Sequence, residues 1–178
     1  IKEYALDIQN AGHNLLALIN DILDFSKIES GKLEIICVEY DMSSMIHDIS
    51  NMILSKVKDK NLEFHIHIDE QLPSKLFGDD VRIRQILVNL LNNAVKYTHE
   101  GSVSLSIQGT KSDGKVMLDF VVEDTGIGIK EEDISKLFKE FERIEEKRNR
   151  NIEGTGLGIN ITMQLLALMG STLNVESE

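Results

Sequence analysis

Three residues on one stretch carry the first chemical signal. Asn89 and Asn93 are four apart and Lys96 follows three later, a spacing that sets all three on one face of a helix. Amide oxygens are hard ligands for Mg2+, an ion that keeps several waters and usually binds substrate phosphate as well, and a lysine neutralises phosphate charge. The trio suggests a Mg-nucleotide; the competing reading of this stretch alone is a solvated helix surface. A second signal is Asp124-Thr125-Gly126-Ile127-Gly128, directly after an apolar strand. A strand-end carboxylate can accept a hydrogen bond from an exocyclic amine such as that of adenine, and glycine lets backbone pass close to a ligand. The same letters are also ordinary turn chemistry. A third, Gly154-Thr155-Gly156-Leu157-Gly158, opens a helix, where free N–H groups and the helix dipole favour an anion; its alternative is a flexible loop ending in a cap.

Neither glycine cluster is one of the commoner nucleotide fingerprints. A P-loop requires Gly-Lys before Ser or Thr, but Gly31-Lys32 precedes Leu33 and Gly114-Lys115 precedes Val116. The dinucleotide pattern fails at Glu131 and at Ile159. Cys37 stands alone, which excludes an intrachain disulfide and a four-thiolate metal site and fits a reducing cytoplasm. The chain has 178 residues and a net charge of −11. Its acidity opposes nucleic acid and anionic membrane as partners, since both need cations to replace their counterions. Its longest apolar runs, residues 15–19 and 165–169, fall far short of the ~20 residues needed to span a bilayer.

These residues need a scaffold, and the hydrophobic patterning supplies one. Ile1, Ala5, Ile8, Gly12, Leu15, Ile19 and Ile22 recur at spacings of four and three, the seam of a long bundle helix over residues 1–30, with Ser30-Gly31 as its stop and Lys27 in its last turn. Beyond it, strand and helix patterns alternate: a strand at 35–40, a helix at 43–58, a strand at 62–68, and a helix from the Gly78-Asp79-Asp80 turn to about Tyr97 with Asp79 or Asp80 as N-cap. Strands at 102–108 and 116–123 pair around Asp113-Gly114. Helices at 130–138 and 157–169 and a strand at 172–176 complete an α+β arrangement with helices on one sheet face.

Taken in order, residues 89–98 (Asn-Leu-Leu-Asn-Asn-Ala-Val-Lys-Tyr-Thr), 124–128, Phe138 to Phe141 and 154–158 resemble the N, G1, F and G2 boxes of the sensor histidine kinases. Asp80-x-Arg82-x-x-Gln85 before the first box and residues 172–177 are also similar to family wording, and residues 19–29 resemble the end of the second helix of the dimerisation and phosphoacceptor hairpin. The resemblance covers nearly the whole chain.

It implies the Bergerat ATP-binding fold, a mixed sheet covered by helices on one face, here preceded by a long N-terminal helix: residues 1–30 as the hairpin's second helix and 31–178 as the catalytic domain. By the same resemblance Asn93, assisted by Asn89, holds Mg2+, Lys96 meets phosphate, and Tyr97 packs beside the nucleoside. Asp124 takes the adenine amino group, with Gly126, Gly128 and Ile129 passing beside the base. The backbone of Thr155, Gly156, Leu157 and Gly158 holds the phosphates, and Arg143 in the lid lies near the γ-phosphate. The implied activity is transfer of the ATP γ-phosphoryl group to a histidine and onward to a response-regulator aspartate. The implied partners are a receiver domain and, through the helical hairpin, a second copy of the parent protein. The expected location is cytoplasmic, with any membrane anchor outside the chain.

Three departures accompany the resemblance. No histidine stands in the family's phosphoacceptor wording, so the acceptor is expected outside this chain. Glu153 occupies a position where many relatives have glycine. A final strand is expected beyond residue 178, and with no initiator Met the chain reads as an excised piece. An ATP-hydrolysing conformational machine of the same fold is the main rival, yet residues 82–97 contain no Glu to activate water. A degenerate module that only senses nucleotide is the other. His65 and His67 alternate with apolar residues and read as a solvated strand face; the basic island of residues 147–151 reads equally as a solvated loop or as an attractor of ATP or an acidic partner.

Overall fold

The computed structural model describes residues 2–134, 137 and 157–177. Its elements are α1 (Lys2–Glu29), β1 (Val38–Asp41), α2 (Met42–Asp59), β2 (Glu63–Ile68), β3 (Lys75–Gly78), α3 (Asp80–Tyr97), β4 (Ser102–Ser112), β5 (Lys115–Asp124), α4 (Glu131–Ile134) and α5 (Gly158–Leu168). The chain forms two compact units, Ile36–Lys130 with Glu176–Glu178, and Ile1–Ile35 with Glu131–Val175.

In the first of these units, β4 is the central strand of a mixed sheet, parallel to β2 and antiparallel to β5. Period-two alternation sends Val103, Leu105 and Ile107 to one face, where all three are fully buried, and Ser104 and Ser106 to the other. α2 and α3 pack against the sheet and against each other, with Met45, Ile49 and Ile53 of α2 and Leu87, Leu91 and Ala94 of α3 buried. Each such Leu or Ile contributes about 1.5–3 kcal/mol. His65, within 3.2 Å of the Glu63 carboxylate, and His67 both lie exposed, the solvated strand face that the alternation anticipates. The Asp113-Gly114 turn has φ values of 51° and 74°, the twist that a two-residue hairpin requires.

Both helices of this unit start on an aspartate. Asp41 caps α2 by accepting the Ser44 N–H at 2.7 Å, and bonding to Ser44, aided by the Lys75 charge, holds its carboxyl below the usual range. Asp79, not Asp80, caps α3: one carboxylate oxygen accepts the Arg82 N–H at 3.0 Å and the other the Ile36 N–H at 2.9 Å. β3 was not anticipated from the sequence. It has four residues, too few for alternation to register, and pairs antiparallel with β1 in a separate two-stranded sheet, delivering Gly78 and Asp79 to the start of α3.

In the other unit α1 spans the expected residues. It stops where Gly31 N–H donates to Ile28 O at 2.9 Å and Lys32 N–H to Lys27 O at 2.9 Å. Leu15, Leu16, Ile19, Ile22 and Leu23 stay exposed along it. Burial, and then the neighbouring Asp24, push the Asp21 carboxyl up. α4 is assigned only over four residues of the expected 130–138, of which 135, 136 and 138 lie outside the described residues. The strand expected at 172–176 is corrected: these residues are described and carry no strand, because they form no ladder with any described strand. Just beyond them, Ser177 belongs with the first unit, and there its Oγ accepts the Ile129 N–H at 2.8 Å.

Candidate nucleotide-binding site

The candidate site is built where α3 ends and β5 ends, both in the same unit. Asn89, Asn93 and Lys96 lie on α3 as the spacing requires, and all three are half-buried. The adjacent amide, Asn92, is drawn away from them: its Oδ1 accepts from Lys56 Nζ of α2 at 2.6 Å. The Lys96 ammonium lies 4.9 Å from the centre of the Tyr97 ring, within cation–π range, so a cation and an aromatic face stand side by side at the helix end.

The loop after β5 is tied to that helix end through its backbone. The Tyr97 carbonyl accepts the Ile127 N–H at 3.2 Å, and Asp124 Oδ1 accepts the Gly126 N–H at 2.9 Å. Gly126 is required by close approach, since a Cβ there would sit 2.6 Å from both the Tyr97 carbonyl oxygen and Asp124 Oδ1. Gly128 has φ 64°, a left-handed conformation that side chains resist. The backbone of Ile129 is held by Ser177, as above.

Two contributors escaped the sequence reading. Thr98, fully buried at the end of α3, donates its hydroxyl to Ala94 O at 2.7 Å and lies 3.4 Å from Asp124 Oδ1; a threonine beyond the last apolar residue gave only a weak signal. Lys60, the C-cap residue of α2, donates from Nζ to the carbonyls of Val95, Lys96 and Thr98 at 2.7, 2.8 and 3.1 Å. Nothing in local periodicity reveals a contact across 35 or more residues.

Leu157 and Gly158 belong to the other unit. Leu157 is buried and its carbonyl accepts the Ile161 N–H at 2.9 Å, and Gly158 is the first residue of α5. Arg143, Thr155 and Gly156, like Phe138, Phe141, Glu153 and the basic island at 147–151, lie outside the described residues.

The donor chemistry fits a Mg2+ ion that arrives with a nucleotide. Among the described residues no group of three His, Cys, Asp or Glu could hold a metal by itself. The Asn89 and Asn93 amides instead offer neutral oxygen donors at a partly open helix face, matching an ion that takes much of its coordination from phosphate and water.

Residues 78–178, which span this site, match the family model described as histidine kinase-, DNA gyrase B-, and HSP90-like ATPase. The chain belongs to that family. Its relatives within the histidine kinase-, DNA gyrase B- and HSP90-like ATPases include the hybrid signal transduction histidine kinase B of Dictyostelium discoideum, 39% identical over 99% of this chain and 9% of that protein. The signal transduction histidine-protein kinase BarA of Escherichia coli is 35% identical over 99% of this chain and 19% of that protein. Among solved structures, full-length ShkA, crystallised with AMPPNP, superposes with a TM-score of 0.76 at 29% identity, over 95% of this chain and 34% of that one. The Acinetobacter baumannii histidine kinase AdeS, at 22% identity and a TM-score of 0.71, covers 96% of this chain and 75% of its own and supports the fold. The sequence is therefore that of a sensor histidine kinase ATP-binding domain, with the α+β architecture the boxes implied. The chain spans 9% and 19% of the length of these two curated relatives. No helix of the described residues is long and apolar enough to cross a membrane.

Proposed function

We propose that the chain is the catalytic core of a sensor histidine protein kinase, binding Mg-ATP and delivering its γ-phosphoryl group to a histidine that lies outside it. The observation that carries this reading is the junction of α3 with the loop after β5. There the Tyr97 carbonyl and the Ile127 N–H meet at 3.2 Å, which brings the base-reading carboxylate of Asp124 beside the helix bearing Asn89, Asn93 and Lys96. Asp124 accepts from the adenine amino group, Gly126 and Gly128 let the backbone and Ile129 run beside the base, and Tyr97 flanks the nucleoside. Asn93 and Asn89 hold Mg2+, which supplies charge neutralisation on the phosphates. Lys96, and by resemblance Arg143 with the backbone of Thr155, Gly156, Leu157 and Gly158, oppose the remaining charge.

Phosphoryl transfer needs little covalent help from the protein, so positioning and electrostatics are sufficient work for these groups. An imidazole nitrogen of the acceptor histidine forms the new P–N bond as the bond to the ADP oxygen breaks. The group then passes to an aspartate of a response-regulator receiver domain.

The domain division that fits this reading is residues 1–30 as the second helix of the dimerisation and phosphoacceptor hairpin and 31–178 as the ATP-binding domain. The exposed stripe of α1 supports a homodimeric parent, because an apolar seam of that length gains stability only when covered. A cytoplasmic setting accords with exposed, unpaired Cys37 and with ATP as substrate.

Calorimetric titration with a non-hydrolysable ATP analogue, with and without Mg2+, tests the proposal on the parent chain and on Asp124→Ala and Asn93→Ala. Mg-dependent binding that both substitutions remove is the expected result. No binding by the parent chain, and no phosphorylation of a supplied acceptor hairpin, would sink it.

A further inference from the structure

The last turn of a helix leaves its final four carbonyls without intrahelical partners, and these carry the negative end of the helix dipole. In α3 every one of them is accounted for. Ala94 O, the last to meet an i+4 N–H, takes that of Thr98 together with its hydroxyl, and the four carbonyls beyond it are those of Val95, Lys96, Tyr97 and Thr98. Val95 O, Lys96 O and Thr98 O all take the Lys60 ammonium, at 2.7, 2.8 and 3.1 Å. An ammonium has three donors, and here each has its own carbonyl. Tyr97 O alone is left over, and it is the carbonyl that accepts the Ile127 N–H. One turn earlier, Lys56 of α2 holds Asn92 at 2.6 Å, so a lysine on α2 and the one at its C-cap, four apart, grip α3 at its side and at its end.

We infer that Lys60 is a positioning residue of the nucleotide site: by occupying the carbonyls on either side of Tyr97 it fixes the last turn of α3, and with it the directions of Lys96 and Tyr97 and the joint to the Gly126 loop. This inference rests on the proposed nucleotide reading of that site. Without the ammonium, three buried or half-buried carbonyls lose charge-assisted bonds, which are about twice as strong as neutral ones. The turn then has to open to water or re-bond to other N–H groups. Either response moves Lys96 and Tyr97, and neither requires the core beneath them to come apart.

The test compares Lys60→Met, Lys60→Gln and Lys60→Arg with Ile49→Val, a substitution at a fully buried α2 position that lowers stability without touching these carbonyls. Affinity for the Mg-complex of a non-hydrolysable ATP analogue is measured well below the melting temperature of each variant, with amide hydrogen exchange at Ile127. Lys60→Met is expected to bind about tenfold more weakly, the scale of one lost charge-assisted bond, and to exchange the Ile127 amide faster. Lys60→Arg, which keeps the charge but sets its donors in a plane, should recover part of the affinity that Lys60→Met loses. Should Lys60→Met fail to fold, Lys60→Gln, with an uncharged amide, is read in its place. Unchanged affinity and Ile127 exchange, or an affinity loss that Ile49→Val reproduces at equal loss of melting temperature, would overturn the inference. The Ile127 amide reports with or without nucleotide. If the parent chain binds no nucleotide, the function proposed above fails, while the clamp on α3 is still judged by exchange alone.

Discussion

The carbonyl of Tyr97 accepts the N–H of Ile127 at 3.2 Å, joining the last turn of α3 to the loop that follows β5. This one bond places a helix carrying amides and an ammonium next to a strand-end carboxylate. It forms only because residue 126, lying between Asp124 and Ile127, has no side chain. Asp124 closes the loop from its other side by accepting the Gly126 N–H at 2.9 Å.

Gly126→Ala is therefore expected to be far more disruptive than an exposed glycine substitution. Its Cβ would press to 2.6 Å against the Tyr97 carbonyl and the Asp124 carboxylate, so either the splice to Ile127 or the aspartate must shift. Nucleotide affinity should fall at least about tenfold, read by calorimetry. Gly12→Ala is the contrast. A Cβ there meets nothing within 4 Å, and in mid-helix it should add about 0.8–1 kcal/mol, visible as greater helicity and a higher melting temperature for α1.

Thr98→Val tests the support of Asp124 without altering volume. The hydroxyl bonds to Ala94 O at 2.7 Å and approaches Asp124 Oδ1 at 3.4 Å from a fully buried site. Its loss should cost about 1–2 kcal/mol of stability, a few degrees in thermal denaturation. It should also weaken nucleotide binding several-fold, because Asp124 loses one of its two fixed neighbours. Equal affinity in the variant and the parent chain would show that Gly126 alone orients the carboxylate.

Much of this geometry was legible in the letters. The four-and-three spacing of Asn89, Asn93 and Lys96, the apolar alternation of β4 and β5, and the Asp-x-Gly at the end of β5 are local patterns, and period fixes their faces. The Lys60 clamp and the Thr98 to Asp124 approach were not legible, because a side chain meeting another element far along the chain leaves no trace in local spacing. β3 was missed because four residues cannot show a period. The strand expected at residues 172–176 failed for the opposite reason: its pattern is strand-like, but a strand exists only with a partner, and no described strand forms a ladder with it.

Acid should destabilise α2 from its N-terminus. Bonding to Ser44 lowers the Asp41 carboxyl in the folded chain, while the unfolded value is about 3.9. A depressed carboxylate contributes stability that is present above the unfolded value and lost as pH falls through the folded one. Denaturation at pH 7 should show Asp41→Ala less stable than the parent chain, and the difference should shrink on going to about pH 2–3 as the parent protonates. Asp21 in α1 has the opposite sign. Burial and Asp24 raise it, so acidification favours its folded form, and Asp21→Asn should remove that gain on the acid side.

The amide and the ammonium on α3 should separate by their dependence on Mg2+. Asn93 is assigned to the ion and Lys96 to phosphate charge, and the two are three residues apart on one half-buried helix face. If that division holds, Asn93→Ala should bind a non-hydrolysable ATP analogue like the parent chain when Mg2+ is chelated, and about tenfold more weakly than the parent when Mg2+ is present. Lys96→Met should weaken binding in both conditions, more steeply at low ionic strength, because a point charge acts on phosphate with or without the ion. Calorimetric titrations of both variants with and without Mg2+ read the four affinities directly. Loss of Mg-free binding in Asn93→Ala would mean that this amide contacts the nucleotide itself, and the ion would then have to be assigned to Asn89.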